Sequence, residues 1–187
     1  MGKIVALTYL SLDGVMENPA WTAPFWNDEH SDYAQGPMFG CDALLLGRVT
    51  YEGFAASWPY MEETEGEGAV RMNTMPKYVV STTLDKAEWN NSTVVKGDLA
   101  TEIAKLKERH GTLLVYGSAD LITSLIKLDL IDELRLWIHP VVVGHGKRLF
   151  PSGVDTTTWR LATTHVFSSG AVVLDYRPGT GKPGDDA

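Results

Sequence analysis

Apolar positions along this chain fall into short runs divided by glycine, proline and acidic clusters. Residues 4–10 are β-branched and aliphatic and stop before Asp13-Gly14, a turn signal, which predicts a buried first strand. Residues 17–26 carry two prolines and two tryptophans and predict an ordered loop. Asn27 or Asp28 can cap a helix that runs to about Met38, with Glu29 in its first turn. Residues 43–46 predict a second buried strand ending at Gly47, and residues 50–57 a helix. The stretch 62–68, Glu-Glu-Thr-Glu-Gly-Glu-Gly, predicts an acidic surface loop. Strands follow at 78–81 and 93–95, then a helix over 99–110 stopped by Gly111. Residues 113–116 form another apolar run ending at Gly117, and 121–128 an amphipathic helix. A long strand is predicted over 134–143 and a closing hairpin over 161–176, turning at Ser168-Ser169-Gly170. The tail from Gly179 has the composition of a disordered terminus.

Strands alternating with helices, closed by a hairpin, imply a mostly parallel sheet flanked by helices with an antiparallel edge. No repeat or long linker divides the chain, so residues 1–178 are expected to form a single domain. The net charge of −8 repels phosphate backbones and anionic lipid, which argues against nucleic acid and membrane surfaces as partners. Cys41 is the only cysteine, so neither an intramolecular disulfide nor a cysteine-rich zinc site can form. The initial apolar run is too short for a signal peptide, and nothing approaches the roughly 20 apolar residues of a membrane span. A soluble, cytoplasmic protein is expected.

Three segments repeat one pattern, a strand running through small or hydroxyl residues into a helix or turn. In Leu44-Leu45-Leu46-Gly47-Arg48-Val49-Thr50 a buried strand ends in glycine and a helix begins within three residues. Helix N-termini present free N–H groups and a partial positive charge, so Gly47, Arg48 and Thr50 are candidate phosphate ligands. A plain strand-to-helix turn with an exposed arginine fits the same residues. Val115-Tyr116-Gly117-Ser118-Ala119-Asp120 runs from strand into helix at the place where open α/β sheets bind ligands. It lacks the spaced glycines of a Rossmann site. In Val80-Ser81-Thr82-Thr83-Leu84 a hydroxyl cluster follows a strand, suited to a phosphate or ribose, although Ser/Thr after a strand more often forms a simple turn.

Together these segments resemble the dihydrofolate reductase superfamily, in its branch related to the reductase domain of the bacterial bifunctional riboflavin deaminase-reductase. Ser11-Leu12-Asp13-Gly14, Leu130-Ile131-Asp132-Glu133-Leu134, Pro140 through Gly146 and Leu149-Phe150 add to the resemblance, which spans roughly residues 3–177. It implies a dihydrofolate-reductase-like three-layer α/β sandwich, with helices on both faces of the sheet, and an NADPH-dependent reductase. Arg48 and Thr50 would meet the cofactor phosphates, Ser81 and Thr82 the adenosine 2′-phosphate, and Gly117-Ser118 the pyrophosphate. Dihydrofolate reductases place two glycines where this chain has Gly117-Ser118, so Ser118 is a departure. The family's acidic substrate anchor lies on the first helix. Asp28, Glu29 and Asp32 occupy that region here, and spacing to Gly47 favours Asp32, although first-turn carboxylates also serve the helix dipole. Asp13 would border the nicotinamide. Relatives also imply a homodimer, which the apolar hairpin residues Val166, Phe167, Val172, Val173 and Leu174 favour as well.

The substrate implied is a small heterocycle, a pterin or aminopyrimidine, reduced at a C=N bond. A pyrimidine reductase of riboflavin synthesis and an orphan relative both fit. Absence of a zinc deaminase signature excludes the coupled deamination by this chain. A non-catalytic NADP(H)-binding protein on the same fold is the alternative reading. Lys147 and Arg148 could greet a substrate phosphate or stand as solvated loop charges. Trp21, Trp26 and Trp58 could floor a planar pocket or serve the core. Histidines at 30, 110, 139, 145 and 165 lack metal-ligand spacing, so no metal is expected.

Overall fold

Alternation along the strands sorts the apolar residues onto two sheet faces, and helices cover each. The computed structural model describes residues 2–179. Eight strands form one sheet in the order β4-β3-β2-β5-β1-β6-β8-β7: β1 Lys3–Leu10, β2 Ala43–Gly47, β3 Lys77–Val80, β4 Ser92–Val95, β5 Thr112–Tyr116, β6 Glu133–Ile138, β7 Trp159–Val166 and β8 Val172–Pro178. The first six pair parallel, while β8 runs antiparallel to β6 and β7 antiparallel to β8. The helices are α1 Asp28–Phe39, α2 Arg48–Ser57, α3 Glu62–Glu65, α4 Glu67–Thr74, α5 Leu99–Arg109 and α6 Ala119–Lys127.

Ile4, Ala6, Leu45, Leu113 and Val115 pack with Ile103 and Leu106 of α5 and Leu121, Ile122 and Leu125 of α6. On the opposite face Val5, Leu7, Leu44, Leu46 and Leu114 meet Met38 of α1, Tyr51 of α2 and Met72 of α4. Central parallel strands buried on both faces need apolar side chains at every position, which is why β2 and β5 read as unbroken runs. A third cluster, Trp137, Phe167, Ala171 and Val173, lies under α1 and holds the closing hairpin to the sheet.

Local chemistry moves several boundaries from their expected places. Within 17–26 a 3-10 helix spans Pro19–Phe25. The expected acidic loop is helical instead, as α3 and α4, broken at Gly66. First-turn glutamates suit a helix N-terminus, and Asn73 Nδ2 donates to Glu62 Oε1 at 2.7 Å to tie the pair together. The strand expected over 134–143 stops at Ile138. Pro140 offers no N–H, and the amides of Val143 and Gly144 bind the Asp13 carboxylate at 3.0 and 2.9 Å rather than a neighbouring strand. Phe167 and Val173, two of the residues taken to demand a partner chain, are buried within this one. Gly179 still donates to the Thr158 carbonyl; the rest of the expected tail, 180–187, lies outside the described residues.

Candidate functional site

Because β3, β2, β5, β1 and β6 are parallel neighbours, the turns after them share one rim of the sheet. Ser81, Gly47-Arg48, Gly117-Ser118, the 11–16 loop and His139 therefore stand side by side. Two of these turns bond directly. The Gly47 N–H donates to Ser118 Oγ at 3.0 Å, and the hydroxyls of Ser118 and Thr50 are 2.7 Å apart. A Cβ on Gly47 would stand 2.8 Å from Ser118 Oγ, so this approach admits only glycine without a shift. Gly117 has φ +56°, open to glycine, and faces Thr50 Oγ1 and Met16 Cε at 3.8 Å each along its would-be Cβ direction. Gly47, Thr50, Gly117 and Ser118 thus form one cradle.

The chemistry of that cradle fits a diphosphate. α2 and α6 both begin at it, and neither N-terminus has a side-chain cap. Their first-turn N–H groups and dipoles remain available to an anion. Arg48 stands at the start of α2, exposed, with its guanidinium bonded to Glu52 at 2.9 and 3.1 Å. Ser81 is buried, and its Oγ accepts from the amides of Thr83 at 3.2 Å and Leu84 at 2.9 Å, which makes it a turn-forming residue. Thr82 is exposed beside it, in the turn that follows β3, whose last residue Val80 pairs with Gly47. A groove of about 720 Å³ lies beside α2, but Glu52, Glu62 and Glu88 outnumber Lys86 along it, a poor lining for phosphates.

Asp13 is a latch between loops. Its carboxylate accepts from Ser11 Oγ at 2.7 Å and from the amides of Val143 and Gly144, while Arg148 Nε donates to its carbonyl at 2.9 Å. The Ser11 hydroxyl and these amides hold its carboxyl far below the usual carboxylate range. Lys147 bonds Asp120 at 2.5 Å, so both members of the basic pair face carboxylates.

Of the three acidic residues of α1, Asp28 and Glu29 stand at the helix start, on the rim side, and Asp32 does not. Asp28 is exposed at the helix start. Glu29 accepts from the Ser168 amide at 3.0 Å and its hydroxyl at 2.8 Å, bonds that lower its pKa. Asp32 is exposed and lines a groove with Lys3, Thr112 and Glu133, the first residues of β1, β5 and β6, at the sheet's other end. The α1 residue that points inward is His30, with no exposed surface, stacked on Phe167 at 4.1 Å and on Trp137 at 5.5 Å between centroids.

His30 belongs to an aromatic cluster that sequence reasoning did not find. Tyr9, Trp137 and His139 lie at the ends of β1 and β6, with Tyr9 centred 5.3 Å from Trp137 and 5.7 Å from His139. Trp21, Phe25 and Trp26, from the 3-10 segment and its end, pack around them. His165 also joins, against Tyr33 and Phe167, so three of the five histidines gather here. Burial lowers the pKa of His30 and of His139 and so favours the neutral ring in both. The available signal was period two: Val5, Leu7 and Tyr9 share a face, as do Trp137 and His139 across one residue.

Comparison with known proteins adds lineage to this geometry. The family model of the RibD C-terminal domain matches residues 3–173. The protein YyaP of Bacillus subtilis (strain 168) is 36% identical over 138 residues, 72% of this chain and 73% of that one. Among solved structures, a protein assigned to riboflavin biosynthesis in Shewanella sp. PV-4 superposes with a TM-score of 0.78 at 22% identity, over 95% of this chain and 99% of its own. Dihydrofolate reductase from Enterococcus faecalis, complexed with NADP(H), gives 0.62 at 16% identity, covering 96% and 98%. The Thermotoga maritima diaminohydroxyphosphoribosylaminopyrimidine deaminase/5-amino-6-(5-phosphoribosylamino)uracil reductase gives 0.68 at 15% identity over 95% of this chain, which spans 57% of that protein. At such identities the structural likenesses show a shared fold.

Proposed function

This chain belongs to the RibD C-terminal domain family, and on that premise we propose that it is an NADPH-dependent reductase acting on a C=N-type bond of a pterin- or aminopyrimidine-like heterocycle. The observation that carries the reading is the joined cradle at the rim, where two uncapped helix N-termini meet through the Gly47–Ser118–Thr50 hydrogen bonds. Gly117 and the first turns of α2 and α6 would hold the pyrophosphate by backbone N–H groups. Arg48 and Thr82 would meet the 2′-phosphate, with Ser81 shaping the turn between them. Bound there, NADPH would supply the hydride for the carbon of the C=N bond, and the nitrogen would take its proton from solvent. The Asp13 latch positions the loops beside the nicotinamide and holds no proton to give.

The Enterococcus relative binds NADP(H), and the Thermotoga relative is named for reduction of an aminouracil; both support the reading. Turnover is tested by following NADPH absorbance with oxidised or dihydro pterins and with 5-amino-6-substituted uracils. Oxidation of NADPH that depends on one of these rings is the expected result. Saturable NADPH binding without consumption by any of them turns the assignment to a non-catalytic NADP(H)-binding protein, a reading motivated by Ser118 and by carboxylates of α1 that are exposed, bound to Ser168 or turned to the far end of the sheet. A homodimer completes the proposal. Leu161 and Val166 on the edge strand β7 are 46% and 67% exposed and share a face with Tyr176 and Val172, which suits a second copy.

A further inference from the structure

Reduction of a C=N bond needs a hydrogen-bond donor at the nitrogen that receives the electron pair, and the carboxylates of α1 do not supply one. Asp28 is exposed at the helix start, Glu29 is bound to Ser168, and Asp32 faces the far end of the sheet. The donor must come from elsewhere on the rim.

Alternation in β1 places Tyr9 on the face shared by α1 and α2. It lies two residues beyond Leu7, whose carbonyl accepts the Gly117 N–H at 3.0 Å, so the phenol stands next to the phosphate cradle. On the neighbouring strand Tyr116 directly precedes Gly117, and Leu7 pairs with Tyr116. The α1 helix makes its helix contact with α4, whereas α2 packs on β2 and β3. Tyr9 and Tyr116 lie on the sheet face that these two helices share. Both rings are half-buried, and neither hydroxyl is hydrogen-bonded among the described residues. Phe54 stands 6.1 Å from Tyr116 and Trp26 6.0 Å from Tyr9, edge to face.

We propose that Tyr9 is the residue of this chain that meets the reacting heterocycle, donating its phenolic O–H to the acceptor nitrogen, while Tyr116 forms the adjoining floor. Burial raises the pKa of both phenols, so each remains a donor across the ordinary pH range. A floor of two neutral phenols with aromatic walls selects a flat, uncharged ring that presents a hydrogen-bond acceptor. It disfavours an amidine-like cation, which would need a carboxylate opposite it. This assignment rests on the reductase reading for its chemistry but predicts a contact that can be seen without turnover.

The test compares wild type, Tyr9→Phe and, as control, Tyr60→Phe, whose ring is 84% exposed. Each is titrated with NADPH and then with 7,8-dihydropterin, pterin and lumazine, rings that carry a C=N bond. In parallel, 3-fluorotyrosine-labelled protein is observed by fluorine NMR, with the Tyr9 resonance identified by its absence in Tyr9→Phe. The expected result is that at least one ring shifts the Tyr9 resonance. Tyr9→Phe should then lower kcat/KM for that ring by about 10²-fold, while thermal stability and NADPH affinity stay at wild-type values. Tyr60→Phe should match wild type throughout. A Tyr9 resonance unmoved by all three rings overturns the assignment whatever the turnover data show. So does a Tyr9→Phe variant that turns over within about twofold of wild type. Failure of wild type to bind NADPH sinks the reductase reading separately, since the resonance is read with and without cofactor.

Discussion

Ser118 links the two halves of the cradle while holding a backbone conformation that disfavours it, and these opposing effects can be separated. Its φ and ψ are 62° and 72°, in the left-handed region. Its Oγ accepts the Gly47 amide at 3.0 Å and shares a hydrogen bond with Thr50 at 2.7 Å. Ser118→Ala removes both hydrogen bonds and keeps the strained backbone. At roughly 1 kcal/mol per hydrogen bond this costs about 2 kcal/mol. Ser118→Gly removes the same bonds but relieves a left-handed penalty of about 1 kcal/mol, leaving a net cost of about 1 kcal/mol. For a chain of this size 1 kcal/mol corresponds to a Tm shift of roughly 2–4 °C. Alanine should therefore melt about 4–8 °C below wild type and glycine only about half as far below. Calorimetry with and without NADPH reads both effects. Glycine frees the Gly47 N–H and the Thr50 hydroxyl, so NADPH should raise its Tm at least as much as that of wild type. An alanine variant as stable as glycine or wild type would refute the assignment of strain and hydrogen bonds at this residue.

Arg48→Ala should weaken NADPH binding about tenfold or more, the scale of a charge-assisted hydrogen bond, measured by fluorescence titration. Its Tm should hardly change, because the Arg48–Glu52 pair is solvent-exposed. Lys77 is fully buried, donates to the carbonyls of Asn73, Met75 and Asn90, and lies 4.2 Å from the Trp89 ring centre. Lys77→Met should cost about 2–4 kcal/mol in urea unfolding by leaving those carbonyls unpaired. The Asp13 carboxyl is held below its unfolded pKa, so its contribution is present above about pH 4 and lost as pH falls through that value toward the folded pKa. Asp13→Asn should flatten the acid limb of a Tm-against-pH profile, and an unchanged limb would contradict the latch. Val166→Glu should convert a dimer to a monomer by light scattering, whereas a wild type already monomeric would remove the proposed partner surface.

The parallel core was legible in the sequence because strands buried on both faces must be apolar throughout, as 43–46 and 113–116 are. Glycines 47 and 117 then marked the rim. What escaped was set by contacts between distant residues. Val141 and Val143 look like strand continuation, yet Asp13, some 130 positions earlier, takes the amides of Val143 and Gly144 and bends that segment away. The 62–68 segment reads as loop because its glutamates are polar, and only the Asn73–Glu62 bond and Met72 further along α4 reveal a packing side. On α1 the buried residues are His30 and Met38 alone. With so little apolar periodicity the inward face cannot be phased from sequence, and Asp32, favoured by its spacing to Gly47, stands at the other end of the sheet. Tyr9 is the one aromatic residue of β1, and its ring neighbours Trp26, Trp137 and His139 come from distant parts of the chain.

Amide hydrogen exchange of the whole protein, with and without saturating NADPH, tests the cradle most directly because it reads the N–H groups assigned to the phosphates. Protection should appear together at 47–51, 81–83 and 117–121, three stretches distant in sequence and adjacent on the rim. Exchange left unchanged at those amides, or slowed only elsewhere on the protein, would contradict the account.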